Sequence, residues 1–292
     1  MRSAAIGRRR HMPRVHNTAV VDPTAELAGD VQVGAFSVVG PGVTIGEGTV
    51  LMNQVTVSQR TAIGERNHLH TGCVVGGDPQ DRKYAGEPTM CRIGDDNEIR
   101  EHVTIHRGTD NGGGATIVGS GNLLMVGAHV AHDCRIGDRT VLANQVMLAG
   151  HVVVEDGASI GGGAGVHHYA TIGRFSFVGG LARISRDVPP FMIVEGHPAE
   201  VRAVNVIGML RNGFEQADVE AMKEAHRRLF RHGGATAAEL PSLREQFAAL
   251  ETVQQLCAAV EASAHGMHGR AREASRPDDK WVAGKKESGT GV

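Results

Sequence analysis

Stepping through the sequence by six from Val21 meets Leu27, Val33, Val39, Ile45, Leu51, Val57, Ile63, Leu69 and Val75, an unbroken series of branched aliphatic residues. The register resumes at Ile93, Ile99 and Ile105. After a second break it runs through Val118, Leu124, Val130, Ile136, Leu142, Leu148, Val154, Ile160, Val166, Ile172, Val178 and Ile184. A period of six matches neither the 3.6 of a helix nor the strict alternation of a long strand; it fits one short strand and one turn, repeated. Three such units close a triangular coil with the aliphatic residue of each unit pointing inward, and hexapeptide periods are a signature of the parallel β-helix. The series predicts about eight coils, and at ~4.8 Å between stacked strands the prism is on the order of 40 Å tall.

Composition agrees with a narrow prism. The 292 residues include 40 glycines, well above the usual ~7%, but only seven Phe, two Tyr and one Trp. Glycine at every third position is absent, which excludes collagen, so the excess must serve tight turns in another repeating backbone. With 41% hydrophobic and 21% charged residues the chain is neither a disordered polymer nor a membrane protein, and no apolar run approaches the ~20 residues a span needs. A net charge of −2 gives no reason to expect a nucleic-acid partner or an anionic membrane. The four cysteines (Cys73, Cys91, Cys134, Cys257) form no CxxC pair, which argues against a disulfide framework and a zinc ribbon and for a reducing cytoplasm. Cys73 and Cys134 fall at the fifth, inward position of their units and read as buried small hydrophobes.

The expected organisation has four parts. Residues 1–15 form a disordered basic extension without the apolar core of a secretory signal, with Met12 as a second candidate start. Residues 16–190 form the β-helix, 191–262 a helical C-terminal domain, and 263–292 a disordered tail rich in Gly, Ser, Arg and Lys. The period fails at 76–92 and 107–117, which read as loops ejected from the prism, where function tends to sit. Pro189 and Pro190 are expected to stop strand pairing, with an irregular linker, EGHPAEVRAVN, after them. Val219, Met222, His226 and Leu229 lie at helical spacing, and Leu243, Phe247, Leu250 and Leu256 form a second apolar stripe. Thr236-x-x-Glu239 and Ser242-x-x-Glu245 read as capping boxes.

Several strings go beyond the generic repeat: DRKYAGEPT (81–89), IREHVTIHRGT (99–109), NLLMVGAHVAHDC (122–134), LANQVMLAGH (142–151), DVPP (187–190) and RNGF (211–214). They resemble the UDP-N-acetylglucosamine O-acyltransferase family of hexapeptide-repeat acyltransferases over residues 15 to about 235. The resemblance implies an all-β left-handed parallel β-helix followed by a small α-helical domain; the handedness comes from the likeness, since parallel crossovers are ordinarily right-handed. It also implies a homotrimer with active sites in clefts between neighbouring prisms, no cofactor and no metal. The donor is a 3-hydroxyacyl chain on acyl carrier protein, transferred to the 3-hydroxyl of UDP-N-acetylglucosamine at the start of lipid A biosynthesis.

Such a transfer needs a base for the sugar hydroxyl, an oxyanion donor for the thioester carbonyl, and clamps for the nucleotide. Histidine, with an unperturbed pKa near 6.5, suits the first task, yet the chain has 16 of them. His132 matches the family's general base. Asp133 follows it and is used by the family around the base and the sugar, although strand alternation would turn it away unless the corner brings it back. The Gly150 amide matches the oxyanion donor. Asp81 and Lys83 match residues that contact sugar and acyl donor; His129, His151 and His167 match substrate-contacting positions, with His106 a weaker case. Asn205 and Arg211 match nucleotide-end contacts, and Arg211 suits a phosphate. Gly180 matches the position that limits acyl-chain length, and Phe177 beside it is a candidate to shorten the groove. The chain departs from the better-known members at His168 (Gln there), which shares the substrate-contact region, and at Ile207 (an acid there) and Asn212 (a second Arg there). The departures keep open a 3-amino UDP-sugar as acceptor, giving N-acylation.

Rival readings are weaker. A γ-carbonic-anhydrase-like zinc site could stack His132 and His168 two coils apart, but the next histidine, His197, lies past the prism, so three ligands cannot be drawn. An acetyl-CoA-dependent hexapeptide transferase, or the later N-acyltransferase of the same pathway, is a second rival; the latter usually carries an extra N-terminal uridine-binding domain, and little sequence precedes the repeat here. A non-catalytic scaffold would not need the His-x-x-His string and the loop lysine together.

Overall fold

The computed structural model describes residues 12–230 and 236–276. Short strands stack into three parallel sheets of 11, 9 and 8 strands, which we call faces 1, 2 and 3; they start at Arg14–Val15, Val20–Val21 and Glu26–Leu27 respectively. The chain visits the faces in turn, so each strand pairs with the strand one coil later. This is the expected left-handed parallel β-helix followed by a small helical domain.

The core follows the period. Val33, Val39, Ile45 and Leu51 through to Val178 and Ile184 are buried in one continuous apolar cluster, filled out by Val, Ala and Cys at the fifth positions. No ring lies in that cluster. Cys73, Cys91 and Cys134 are buried, and burial pushes each thiol up to about 12. Glycine follows the aliphatic where corners stack too closely for a side chain. A Cβ on Gly46 would fall 2.7 Å from Gly64, and one on Gly94 2.7 Å from Gly119, so the glycines form a column.

Both interruptions are corners between face 2 and face 3. Partners normally lie 18 apart along the chain, as for Asn122 and Thr140. Across the first break His68 pairs with Glu98, 30 apart, and across the second Thr104 pairs with His129, 25 apart. The inserted residues leave the prism at 78–89 and 107–114 without disturbing the core register.

Four sequence expectations are corrected. Arg14–Val15 already pairs with Gln32–Val33, so the first coil begins inside the segment read as a disordered extension; residues 1–11 lie outside the described residues. Pairing also survives the prolines: Met192–Glu195 extends face 1 by pairing with Phe177–Val178, and Glu200–Val204 folds back on it antiparallel, so the supposed linker is a hairpin. Pro189 and Pro190 sit in the corner before that strand, where the ladder asks for no N–H. Third, Ser242 starts no helix. The helices are α1 (Val206–Arg211), α2 (Gln216–Phe230), α3 (Thr236–Gln246) and α4 (Glu251–His265), and α3 runs through Pro241, with Ser242 Oγ accepting from Arg228 instead. Finally, residues 263–276 are structured: α4 extends to His265 and a 3-10 turn follows at Ala271–Ser275. Only 277–292 of the expected tail lie outside the described residues.

The excluded rings gather beneath the helical domain. Phe175, Phe191 and Phe214 pack with centroids 5.0 to 5.9 Å apart, against a second core of Met209, Val219, Met222, Leu229, Leu243 and Leu256. Phe247 and Leu250 of the predicted stripe pack partly buried against it.

Candidate active site

The parallel stacking places successive corners between face 2 and face 3 one above another. That single edge carries, in order, the 78–89 loop, the 107–114 loop, His132 and Asp133, Gly150 and His151, and His167 to Tyr169. Most of the predicted site residues therefore share one column, although they are spread over the sequence from Asp81 to His168.

At its centre is an oriented histidine. The corner residue Asp133 has φ of 61°, and this left-handed backbone turns its carboxylate back, against the outward direction strand alternation predicts. His132 Nδ1 lies 2.8 Å from Asp133 Oδ2. The carboxylate is fully enclosed and is held by Thr109, whose amide donates at 2.8 Å and whose hydroxyl donates at 2.6 Å. Burial pushes the Asp133 carboxyl up, but the bonds from His132 and Thr109 and the charge of His151 outweigh it, holding the group below the usual carboxylate range. An ionised Asp133 fixes the His132 tautomer with the proton on Nδ1, leaving Nε2 as the acceptor nitrogen. Sequence reasoning passed over Thr109, which no motif marks. A Cβ at Gly112 would overlap the Asp133 carboxylate, at 1.8 Å from Cγ, so the glycine run in this loop makes room for the carboxylate.

Gly150 lies under the His132 ring. A Cβ there would stand 2.5 Å from His132 Cε1 and 2.7 Å from Nε2, so the missing side chain is what lets the imidazole rest on the next corner. Among the described residues no acceptor takes the Gly150 N–H. His151 completes the group: its Nε2 is 3.8 Å from Asp133 Oδ2, its ring meets His132 edge-on at 5.2 Å, and it stacks on Tyr169 at 4.4 Å.

On the strand that runs into the His132 corner, His129 Nδ1 is 2.7 Å from the Thr104 hydroxyl one coil earlier, and its ring meets His106 edge-on at 4.9 Å. Burial, then the charges of His129 and His132, push His106 down to about 4. Burial and His132 likewise lower His129. Both are neutral imidazoles at neutral pH. Further along, the His167 and His168 rings lie 3.9 Å apart, His167 Nδ1 is 3.1 Å from the His168 carbonyl, and His168 Nε2 is 3.5 Å from Glu273. Burial and His167 hold His168 below its ordinary value.

The first ejected loop is tied down by Arg107, which sequence reasoning passed over. Its guanidinium is buried, bonds to the Tyr84 hydroxyl at 3.0 and 2.8 Å and to the Gly76 carbonyl at 3.0 Å, and pairs with Asp78. Within the loop Asp81 Oδ1 accepts from the Lys83 amide at 3.0 Å, forming the turn that presents the lysine.

The remaining predicted residues lie elsewhere. Asn205 is the N-cap of α1, accepting from the Gly208 amide at 3.1 Å and donating to the Phe175 carbonyl at 2.8 Å. Arg211 is exposed in the last turn of α1, Ile207 is exposed, and Asn212 caps the helix by donating to the Gly208 carbonyl. Phe177 sits on face 1, 40% exposed, and Gly180 is exposed in the corner between faces 1 and 2. One chain does not gather these with His132.

Three groups of donors lie close enough to share an ion: His132, Asp133 and His151; His167, His168 and Glu273; and His68, His70 and Glu98 on face 1. In the first, the Asp133 oxygens are already taken by Thr109 and His132. The second lies beside Arg270 and Arg276, whose charges oppose a cation. No helix among the described residues is long and apolar enough to cross a membrane.

Comparison with known proteins agrees with this fold. Residues 115–150 match the bacterial transferase hexapeptide model (six repeats), and residues 187–268 match the model of UDP-N-acetylglucosamine O-acyltransferase domain 2. The structure of LpxA from Acinetobacter baumannii is similar at 39% identity, over 83% of this chain and 95% of that one, with a TM-score of 0.80. UDP-N-acetylglucosamine O-acyltransferase from Moraxella catarrhalis is also 39% identical, over 84% and 95%, with a TM-score of 0.80. The UDP-N-acetylglucosamine acyltransferase of Francisella novicida is 33% identical over 85% and 91%, with a TM-score of 0.82. By repeat, helical domain and full-length likeness, the chain belongs to the UDP-N-acetylglucosamine O-acyltransferase family.

Proposed function

We propose that the protein transfers a (3R)-3-hydroxyacyl chain from acyl carrier protein to the 3-hydroxyl of UDP-N-acetylglucosamine, in the first step of lipid A biosynthesis, in the cytoplasm. The observation that carries the reading is the His132–Asp133 pair: a buried, ionised carboxylate holding an imidazole with one nitrogen directed away from it. In the proposed reaction His132 Nε2 takes the proton of the sugar hydroxyl as its oxygen attacks the thioester carbonyl. The Gly150 N–H, which finds no acceptor among the described residues, donates to the oxyanion that forms. Collapse breaks the carbon–sulfur bond, and the departing thiolate recovers the proton from His132. Asp133 remains ionised throughout, stabilising the imidazolium. Every proton and charge is handled by residues of the chain, so the step calls for no metal and no cofactor.

Asp81, Lys83, His129, His151, His167 and His168, along the same edge, are proposed to hold sugar and donor. Asn205 and Arg211 are proposed to reach the nucleotide, and Gly180 and Phe177 to set chain length. Their separation from the His132 edge supports a homotrimer in which a neighbouring copy completes each cleft. The exposed apolar side chains of Val20, Val38, Met147 and Phe177 on faces 1 and 2 favour such packing.

The test is incubation of the full chain with UDP-N-acetylglucosamine or its 3-amino analogue and with a panel of 3-hydroxyacyl carrier proteins or acetyl-CoA, with products read by mass spectrometry. An O-acylated sugar nucleotide is expected. Product only with the 3-amino UDP-sugar would transfer the reading to N-acylation, and product only with acetyl-CoA would replace the donor.

A further inference from the structure

We infer that residues 269–276 form a strap that positions His151 and Tyr169, and through them the Asp133–His132 pair, with Arg272 and Arg276 as positioning residues. The inference rests on the reading of His132 as the base. The segment begins where the match to the family's helical-domain model ends, at residue 268. Composition alone marks it as a charged tail, yet it lies on the prism with charged side chains buried.

The chain leaves α4 at His265 and reverses in a tight turn, where His268 and Gly269 have φ of 54° and 73°. Ser263 Oγ donates to the Gly269 carbonyl at 2.8 Å, tying the turn to the helix. Asp187, the acid of the DVPP string, then grips the strap from both sides. Its amide donates to the Gly269 carbonyl at 2.8 Å, and its carboxylate accepts from the Ala271 amide at 2.7 Å. Arg270 is 5% exposed and Glu273 8%; they pair with each other, and Arg270 also donates to the Ser185 carbonyl. Two buried opposite charges bonded in this way hold the segment to one conformation, because either one alone would be costly.

From that footing the strap reaches the site at three places. Arg272 donates to the His151 backbone carbonyl, in the corner whose amide donates to the His132 carbonyl at 3.0 Å. The Arg276 guanidinium lies 5.7 Å from the centre of the Tyr169 ring, which also stacks on the His151 ring and meets the His168 ring edge-on at 5.7 Å. Glu273 lies 3.5 Å from His168 Nε2. His151 is thus held from outside at its carbonyl and through its stacking partner, while it faces the Asp133 carboxylate at 3.8 Å. His151 has φ of 63° and Tyr169 62°, the left-handed corner setting that recurs along the prism at residues such as Phe36 and Gln54, so the coil sets these corners and the strap acts on the His151 carbonyl and the Tyr169 ring.

The test compares the full chain with a version ending at His268 and with the full-length variants Arg272→Ala, Arg272→Lys and Arg276→Ala. Two readouts are taken: steady-state transfer kinetics and the imidazole NMR resonances of His132 and His151. Loss of the strap is expected to lower kcat by about 10- to 100-fold, the scale of a misplaced catalytic geometry, and by a larger factor than KM for the sugar nucleotide rises. His151 resonances should move in the truncated chain and in Arg272→Ala, and Arg272→Lys should restore most of kcat, since a lysine can still donate to the carbonyl. Should the truncated chain fail to fold, the point variants decide. Unchanged His132 and His151 resonances without the strap, or a kcat equal to or above that of the full chain, overturn the inference. If the full chain transfers no acyl group at all, the functional reading fails by itself, and the resonances still report whether the strap sets His151.

Discussion

Replacing Gly150 by alanine adds a single methyl group at the point where the His132 ring, the proposed base, meets the next corner. That Cβ would stand 2.5 Å from His132 Cε1 and 2.7 Å from Nε2, whereas ordinary contact begins at 3.4 Å. The ring must therefore retreat by about 1 Å. It cannot do so freely, because Nδ1 is bonded to Asp133, which is itself clamped by Thr109. Either that bond stretches or the corner shifts, and both move Nε2 from where the hydroxyl proton must be taken. A displacement of this size costs about 10²-fold in kcat, or roughly 2.7 kcal/mol of transition-state stabilisation. The backbone N–H survives the substitution, and position 150 is not among the left-handed glycines, so folding should change little. The assay is steady-state acyl transfer beside a thermal melt. A Gly150→Ala enzyme within twofold of the wild-type kcat would refute the claim that the glycine exists to seat the base.

Two further outcomes follow from the same edge. Arg107→Ala should free the 78–89 loop, raising KM more than it lowers kcat and costing about 1–3 kcal/mol, since Asp78 is exposed and is not left buried without its partner; limited proteolysis within the loop and a denaturant melt check it. His106, held down to about 4, stays neutral in the folded chain while an unfolded histidine takes up its proton near 6.5. The unfolded state therefore binds more protons across that window, and stability falls as pH drops from about 6.5 to 4, by about 1–3 kcal/mol. His106→Gln should flatten that dependence in melts run across this range, and an equally steep variant would count against the buried neutral histidine.

The period of six made the fold legible because a prism repeats one physical requirement, an inward aliphatic per turn, at every step. It also assembled the site indirectly: once corners stack, strings far apart in sequence share an edge. Side-chain direction at the corners was less accessible. Asp133 follows His132, and alternation turns it outward; only the left-handed backbone brings it back. Arg107 and Thr109 carry no motif of their own, and their roles come from loops whose path the period does not set. Pro189 and Pro190 read as a stop because the pattern cannot distinguish a corner from a strand. The strap read as disordered because its charges find partners only in three dimensions: Arg270 and Glu273 in each other, Ala271 in Asp187.

The central claim is that His132 is the base for acyl transfer to the sugar nucleotide. It is tested most directly by measuring transfer from 3-hydroxyacyl carrier protein to UDP-N-acetylglucosamine by the wild-type chain and by His132→Ala, with the melts of the two proteins compared. The account predicts product from the wild type and a rate lower by about 10²–10⁴-fold from a variant that melts as the wild type does. A folded His132→Ala protein transferring at the wild-type rate would contradict it.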